Sequence, residues 1–381
     1  MSLGLNLGYL ASVCLFVLGL KLLAKADTAK QGNLLSMLGM LVAVIVTLIC
    51  NEISSYNLIC IGLLIGTVVG FIAAKKVKMT SMPEMVALLN GFGGLSSFLL
   101  AFGSLLLLNS IGDFDALICF VSIIVGCITF SGSIIAWAKL AGVFSGKPIV
   151  SIIQRVILIV LVLFVLITII AYFNGFLFLH SVYMISFLSI IIGILLVVAI
   201  GGGDMPVVIA LLNSYSGIAA SLAGVVIGNV LLVVVGILVG ASGLILTNIM
   251  CKAMNRQLGN VIFGGFGSNL KVDSNQDKSQ NVSSISADDA YLVLEAAQRI
   301  IVVPGYGLAV SQAQHVVREL SELLSQNNCD VEFAIHPVAG RMPGHMNVLL
   351  AEANIDYDQL IELEDANQKM PIADVAIVIG A

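Results

Sequence analysis

Val156-Ile-Leu-Ile-Val-Leu-Val-Leu-Phe-Val-Leu-Ile-Thr-Ile-Ile-Ala-Tyr-Phe173 runs for eighteen residues without a charge. As a helix it covers about 27 Å, close to the hydrocarbon depth of a bilayer. A helix apolar on every face belongs in a large core or in lipid. Outward from it, windows of about 20 residues give further apolar runs at 5–24, 33–50, 57–74, 84–108, 114–138, 182–201, 205–228 and 230–251. With 156–173 these make nine candidate spans, the last two separated only by Gly228 and Asn229. Composition agrees: 59% of the 381 residues are hydrophobic and 10% charged, where soluble domains carry roughly a quarter charged. A cleaved signal peptide is not expected, because the first run lacks a basic leader and has Lys21 and Lys25 behind it.

Charge divides the chain in two. Met1 to Asn260 holds 11 Lys/Arg and 6 Asp/Glu, net +5, and Val261 to Ala381 holds 6 and 16, net −10. An acidic globule excludes a nucleic-acid binder. Cys14, Cys50, Cys60, Cys119 and Cys127 lie within apolar runs and read as small buried hydrophobes rather than a disulfide framework, with Cys251 at a span end and Cys329 in the acidic part. All eleven basic residues of the first part follow spans one, three, five and nine, while the loops 51–56, 109–113 and 174–181 have none. Retention of positive loops in the cytoplasm then places the N-terminus outside and the acidic part inside. Gly62, Gly66 and Gly70, with Gly91, Gly93, Gly94, Gly240 and Gly243, read as small faces for close helix packing.

Polar groups at membrane depth are costly and face a bundle interior or a wet cavity. Glu84 opens span four, with Asn90 about two turns deeper; Ser131 and Ser133 lie in span five; Asp204 opens span eight, which contains Asn213 and Ser214 and ends near Asn229. Glu84 and Asp204 sit where a helix dipole favours a carboxylate, so capping competes with function for both. Asn90 and Asn213 are expected to form a polar seam between spans four and eight. His180 reads as interfacial.

In the second part, 268–286 reads as a flexible linker. A helix follows from Ser286 to about Arg299, then the strand Ile300-Ile-Val-Val303, a glycine turn, a helix to about Leu324, a strand at 331–335, a loop at 338–346, a helix at 347–353 and a strand at 375–379. The β-α-β-α-β order points to a parallel, nucleotide-binding sheet. Gly305-Tyr-Gly-Leu-Ala-Val310 stands between strand and helix as a dinucleotide fingerprint does, with Val310 where a third small residue usually stands. Its glycines admit a pyrophosphate to the backbone, beside helix N–H donors. The second strand ends in Ile335-His-Pro-Val-Ala-Gly-Arg341, with no carboxylate for a ribose 2′-hydroxyl and with Arg341 following; the expectation is NADP(H) over NAD(H). His336 and His345 lack companions at metal-ligand spacing, so no metal is expected.

Asp204-Met-Pro-Val-Val, Leu212-Asn-Ser-Tyr-Ser-Gly217, Ile249-Met-Cys-Lys-Ala-Met-Asn-Arg256, Pro304-Gly-Tyr-Gly-Leu-Ala-Val-Ser-Gln-Ala-Gln314 and His336-Pro-Val-Ala-Gly-Arg-Met-Pro-Gly-His-Met-Asn-Val-Leu-Leu-Ala-Glu-Ala353 together resemble the β subunit of the proton-translocating NAD(P) transhydrogenases, from about Ala24 to the last residue. The resemblance implies an α-subunit partner carrying NAD(H), a division of labour in which this chain binds NADP(H), and hydride transfer from NADH to NADP+ coupled to inward proton movement in a bacterial inner membrane, with αβ units paired as a dimer. It assigns Asp204, Asn213 and Asn229 to proton passage or coupling, Ser242 and Arg256 to the link between membrane and nucleotide domain, Gly305, Tyr306, Gly307, Ala309 and Val310 to the pyrophosphate turn, and Arg341 and Met342 to a loop beside bound NADP.

The likeness has two departures. Where some relatives carry a relay histidine this chain has Asn90, and an amide does not hold a proton near neutrality. The family also continues past Val378-Ile-Gly-Ala381 into a further nucleotide loop, so the sheet reads as incomplete. The expected architecture is a polytopic helical membrane domain (1–260), a linker (261–286) and a cytoplasmic Rossmann-like NADP-binding domain (287–381). A transporter or channel with a nucleotide-sensing domain, or a truncated silent relative, is the alternative.

Overall fold

The computed structural model describes residues 3–23, 28–49, 56–77, 81–107, 112–175, 178–254, 257–263, 283–336, 339–340 and 344–380. Among them, nine helices are long and apolar enough to cross a membrane. They are α1 (Leu3–Leu23), α2 (Ala29–Ile49), α3 (Tyr56–Lys76), α4 (Met82–Leu107), α5 (Asp113–Leu140), α6 (Ile152–Phe173), α7 (Phe178–Val198), α8 (Met205–Val226) and α9 (Val230–Ala253). Their limits follow local chemistry. Asp113 and Asp115 place negative charge in the first turn of α5. Ser151 accepts from the Ile153 N–H and caps α6, and Pro206 stands in the first turn of α8. Gly228, at φ 66°, reverses the chain between α8 and α9, a conformation that only glycine adopts without strain.

Helix α5 is the hub, packing on α4, α7 and α8, while α8 packs on α9 and α1 on α2. Glycine sets the closest approaches. A Cβ on Gly94 would lie 2.9 Å from the Gly126 carbonyl oxygen, and one on Gly126 2.8 Å from that of Gly94, so α4 and α5 touch backbone to backbone. Farther along α5, Phe120 stands edge-on to Tyr172 at 4.7 Å. The expected ladder of Gly62, Gly66 and Gly70 makes no such contact: among the described residues, no atom of another helix lies within 4 Å of a Cβ on any of them. Cys14 and Cys60 are likewise exposed on the outer surface of the helices rather than buried, whereas Cys119, Cys127, Cys251 and Cys329 are buried; Cys50 lies outside the described residues. Helices as apolar as α1 and α3 carry no stripe from which an inward face can be read.

A short helix α10 (Leu258–Phe263) follows, so the first residues of the expected linker are helical; 264–282 lie outside the described residues. Then come α11 (Ala287–Ala296), β1 (Arg299–Pro304), α12 (Tyr306–Val310), α13 (Gln314–Gln326), β2 (Asp330–Ala334), α14 (His345–Glu352), β3 (Leu360–Ile361), α15 (Leu363–Lys369) and β4 (Val375–Ile379). The sheet is wholly parallel, ordered β3-β2-β1-β4. The pair Leu360–Ile361 is a fourth strand beyond the three expected, and the helix expected up to Leu324 is broken in two at Gln312, whose φ is 53°. Both faces of β1 are buried: Ile300 and Val302 pack with Leu308, Phe333, Met346 and Leu350, and Ile301 with Ala334, Ile361 and Ala366. Covered parallel strands read as continuous apolar runs for this reason. Lys369 of α15 pairs with the largely buried Glu332 of β2.

Asp374, just before β4, accepts from the Gln298 and Arg299 N–H groups at 2.9 Å each. These two backbone donors, the Arg299 one first, hold its carboxyl below the ordinary value despite some opposing desolvation. A depressed folded value stabilises above the unfolded value and is lost as pH falls through the folded one. Asp374→Asn should therefore speed amide exchange in β1 near about pH 7 and converge on wild type only as pH falls below the depressed folded value. A variant effect independent of pH would remove the carboxylate from this account.

Candidate functional site

The membrane part gathers polar groups where α4, α5 and α8 meet. Asn90 is buried and its Nδ2 donates to the Ile209 carbonyl oxygen at 3.2 Å. The seam between α4 and α8 therefore exists, but Asn90 meets α8 backbone rather than the Asn213 amide. Asn213 is half-buried, its own carbonyl accepting from Ser216 Oγ at 2.7 Å. Ser214, fully buried, donates to the Gly240 carbonyl of α9 at 2.7 Å. Ser131 donates to the Cys127 carbonyl at 2.9 Å, while the buried Ser133 hydroxyl finds no hydrogen-bond partner among the described residues and stands against Gly91. One turn beyond Asn90 a cavity of about 360 Å³ opens between α4, α8 and α9, lined by Gly93, Ser97, Ser216 and Gly236 among others. A cavity with several hydroxyls is roomy enough for ordered water.

The other membrane candidates separate clearly. Glu84 is half-buried in the first turn of α4. Asp204 closes the 3-10 turn Gly202–Asp204 ahead of α8, and its side chain makes no capping hydrogen bond. The carboxylate nevertheless stands at the N-cap of α8, the positive end of its dipole. A side-chain cap does account for Asn229, whose Oδ1 accepts from the Leu232 N–H at 3.1 Å and starts α9. Ser242 is exposed in the middle of α9 rather than near its C-terminal end, its hydroxyl bonded to the Val239 carbonyl. Arg256 lies outside the described residues. His180 is exposed near the start of α7.

One residue escaped the sequence reading. Lys139, counted there only as a basic loop marker, is 6% exposed and donates to the Val198 and Ile200 carbonyls at 2.7 and 2.6 Å. Its partners stand 59 and 61 residues away, so no local pattern announces it.

In the α/β part, Gly305, Tyr306 and Gly307 stand at the carboxyl end of β1. The strand order runs outward from β1 through β2 to β3 and returns to β4 on the opposite side, so this end of β1 is the point where an open α/β sheet forms its ligand crevice. Gly307 is exposed. Its N–H donates to the Gly380 carbonyl, and the Gly305 N–H to that of Ile379, at 2.7 Å each. A Cβ on Gly307 would fall 2.9 Å from the Gly380 Cα, and Gly380 holds φ 72° to make the approach. In the short helix α12 (Tyr306–Val310) the Gly307 N–H is given to Gly380 and the Leu308 N–H to Gly305, so the turn offers fewer unengaged donors than an open helix N-terminus. Ala309 is fully buried and Val310 is 62% exposed; the tight position is Ala309, and the unusual valine meets no steric objection. Tyr306 packs edge-on to His345 of α14, 5.7 Å between ring centres, over Gly340, where a Cβ would collide with the imidazole. Arg341 and Met342 lie outside the described residues. The glycine cradle, the switch-point position and the absence of a carboxylate in the described residues ending β2 fit a phosphorylated dinucleotide.

The chain matches the family described as NAD(P) transhydrogenase beta subunit over residues 5–381. Two sequences of NAD(P) transhydrogenase subunit beta from Rhodospirillum rubrum are each 43% identical to it over 384 residues, taking in 98% of this chain and 82% of the relative. A match of that length spans both the helices around Asn90 and Asp204 and the sheet that carries Gly305, and the chain belongs to the NAD(P) transhydrogenase beta-subunit family.

Proposed function

We propose that this chain binds NADP(H) at the Gly305–Val310 turn of a Rossmann-like domain and works with an NAD(H)-carrying α subunit in the inner membrane, as one half of an αβ unit that pairs into a dimer. Hydride transfer between NADH and NADP+ is coupled to inward proton movement through the α4, α5 and α8 seam, with the α/β domain on the cytoplasmic side. The observation that carries this reading is the glycine turn at the switch point of the sheet, where Gly305 and Gly307 bring bare backbone to the carboxyl end of β1, the place where an open parallel sheet takes its ligand. When bound, the cofactor supplies the hydride chemistry. The chain's own residues position and exclude. Gly305 and Gly307 let backbone approach phosphate, Tyr306 is braced by His345, and the family resemblance gives Arg341 and Met342 a role beside bound NADP.

In the membrane, Asp204 carries the proton role, since the amides of Asn90 and Asn213 transmit hydrogen bonds without holding a proton. Glu84 sits at the corresponding end of α4, and Ser242, Asn229 and Arg256 complete the coupling set, Asn229 through the geometry of the α8–α9 reversal. Nucleotide binding biases the membrane part only through differential affinity for its two states. With its α partner in vesicles, Asp204→Asn should keep NADPH affinity within about twofold while proton movement stops. Normal pumping by the variant would demote Asp204.

A further inference from the structure

Lys139 is the cation of the bundle that nothing above employs. It is buried in the last turn of α5, where a lysine ordinarily reaches for water. Both bonds that hold it end on carbonyls at the close of α7, that of its last residue Val198 and that of Ile200 two residues beyond, at the negative end of a helix dipole. The same stretch is gripped from two other directions. The Ile149 N–H donates to the Val198 carbonyl at 3.3 Å, the Gly202 N–H to the Gly146 carbonyl at 2.7 Å, and Gln154 Nε2 to the Leu195 carbonyl at 2.7 Å. The end of α5, the α5–α6 connection and the start of α6 thus close on the α7–α8 reversal. Two residues past the gripped stretch stands Asp204.

The opposite wall of this knot is the exit from the membrane part. Ala136, Leu140, Val197, Ile200 and Met205 share one buried cluster with Met250 and Cys251 of α9 and Val261 of α10. Movement of α9 and α10, which lead toward the α/β domain, therefore bears on the reversal that Lys139 pins.

We propose that Lys139 is a positioning residue for coupling: its ammonium clamps the Val198–Ile200 carbonyls so that the state of the nucleotide domain, arriving through α9 and α10, is delivered to Asp204 as a fixed displacement rather than absorbed by a loose turn. The claim rests on the proton role proposed for Asp204. Charge-assisted bonds to two carbonyls make a stiff joint, and a neutral side chain of equal length takes this donor from the Ile200 carbonyl and leaves the Val198 carbonyl held only by the longer bond from the Ile149 N–H.

The test uses the whole chain with its α partner in vesicles, comparing Lys139→Met, Lys139→Arg and Asp204→Asn. Lys139→Met should raise amide exchange across 199–204 about tenfold and cut protons moved per hydride by about tenfold, with NADPH affinity and the hydride-transfer rate measured with an uncoupler near wild type. Lys139→Arg, which restores donors and charge, should recover the stoichiometry. A purely structural lysine would lower both activities together, so parallel loss of hydride transfer and pumping overturns the proposal. So does wild-type stoichiometry in Lys139→Met while Asp204→Asn is dead. Normal pumping in Asp204→Asn removes the Asp204 reading instead, and shows up in that arm alone.

Discussion

Replacing Gly307 by valine should weaken NADPH binding by at least about 100-fold, roughly 2.7 kcal/mol, while leaving the membrane helices intact. The reason is backbone geometry. The added Cβ would sit 2.9 Å from Gly380 Cα and 3.0 Å from its carbonyl oxygen, and neither is the end of a side chain that could swing aside. Relieving the clash separates the fingerprint turn from the end of β4 and breaks the hydrogen bond from the Gly307 N–H to Gly380. The crevice at the end of β1 then loses the shape a pyrophosphate requires. Calorimetric titration of the full complex with NADPH measures the loss, and Gly307→Ala should fall between valine and wild type. Unchanged affinity in the valine variant would remove this turn from the binding site.

The second large effect is expected at Gly236. A Cβ there would meet the Ser221 backbone nitrogen at 2.5 Å and the Gly217 carbonyl at 2.7 Å; one on Gly217 would meet the Gly240 nitrogen at 2.5 Å. Helices α8 and α9 therefore interlock through their backbones, and Gly236→Val must drive them apart. Overpacking of this kind costs about 3 kcal/mol, and more is lost because Ser214 then separates from the Gly240 carbonyl. The variant should fail to yield a folded complex on mild detergent extraction, whereas leucine at Gly103, where nothing lies within 4 Å, should extract normally. Equal yields from both would mean the α8–α9 contact is not what holds the bundle.

The membrane spans were legible because their signal is local and long. The run expected at 114–138 is α5 at Asp113–Leu140, and the glycine and asparagine between spans eight and nine are the reversal between α8 and α9. The outline of the sheet was legible for the same reason, since β1 and β4 are short apolar runs bounded by turns. What stayed hidden depends on partners distant in sequence or on backbone shape without a residue signature. Leu360–Ile361 is a strand only because β2 lies beside it. Gln312 takes a left-handed conformation that usually advertises itself with glycine or asparagine. The Asn90 contact was expected on α8 but reached a carbonyl, and no amphipathic pattern could distinguish Ile209 backbone from an Asn213 side chain. Lys139 resembled the other basic residues after span five until its acceptors came from the far end of α7.

The two-residue reversal at Gly228 and Asn229 bears on how the chain is made. Ser214 on α8 satisfies its hydroxyl with a carbonyl of α9, and the glycines of each helix fit only against the other. In hydrocarbon an isolated α8 would carry these groups unmatched. During synthesis the pair should therefore leave the insertion machinery as one preassembled hairpin, with α8 waiting at the lateral gate until α9 has emerged.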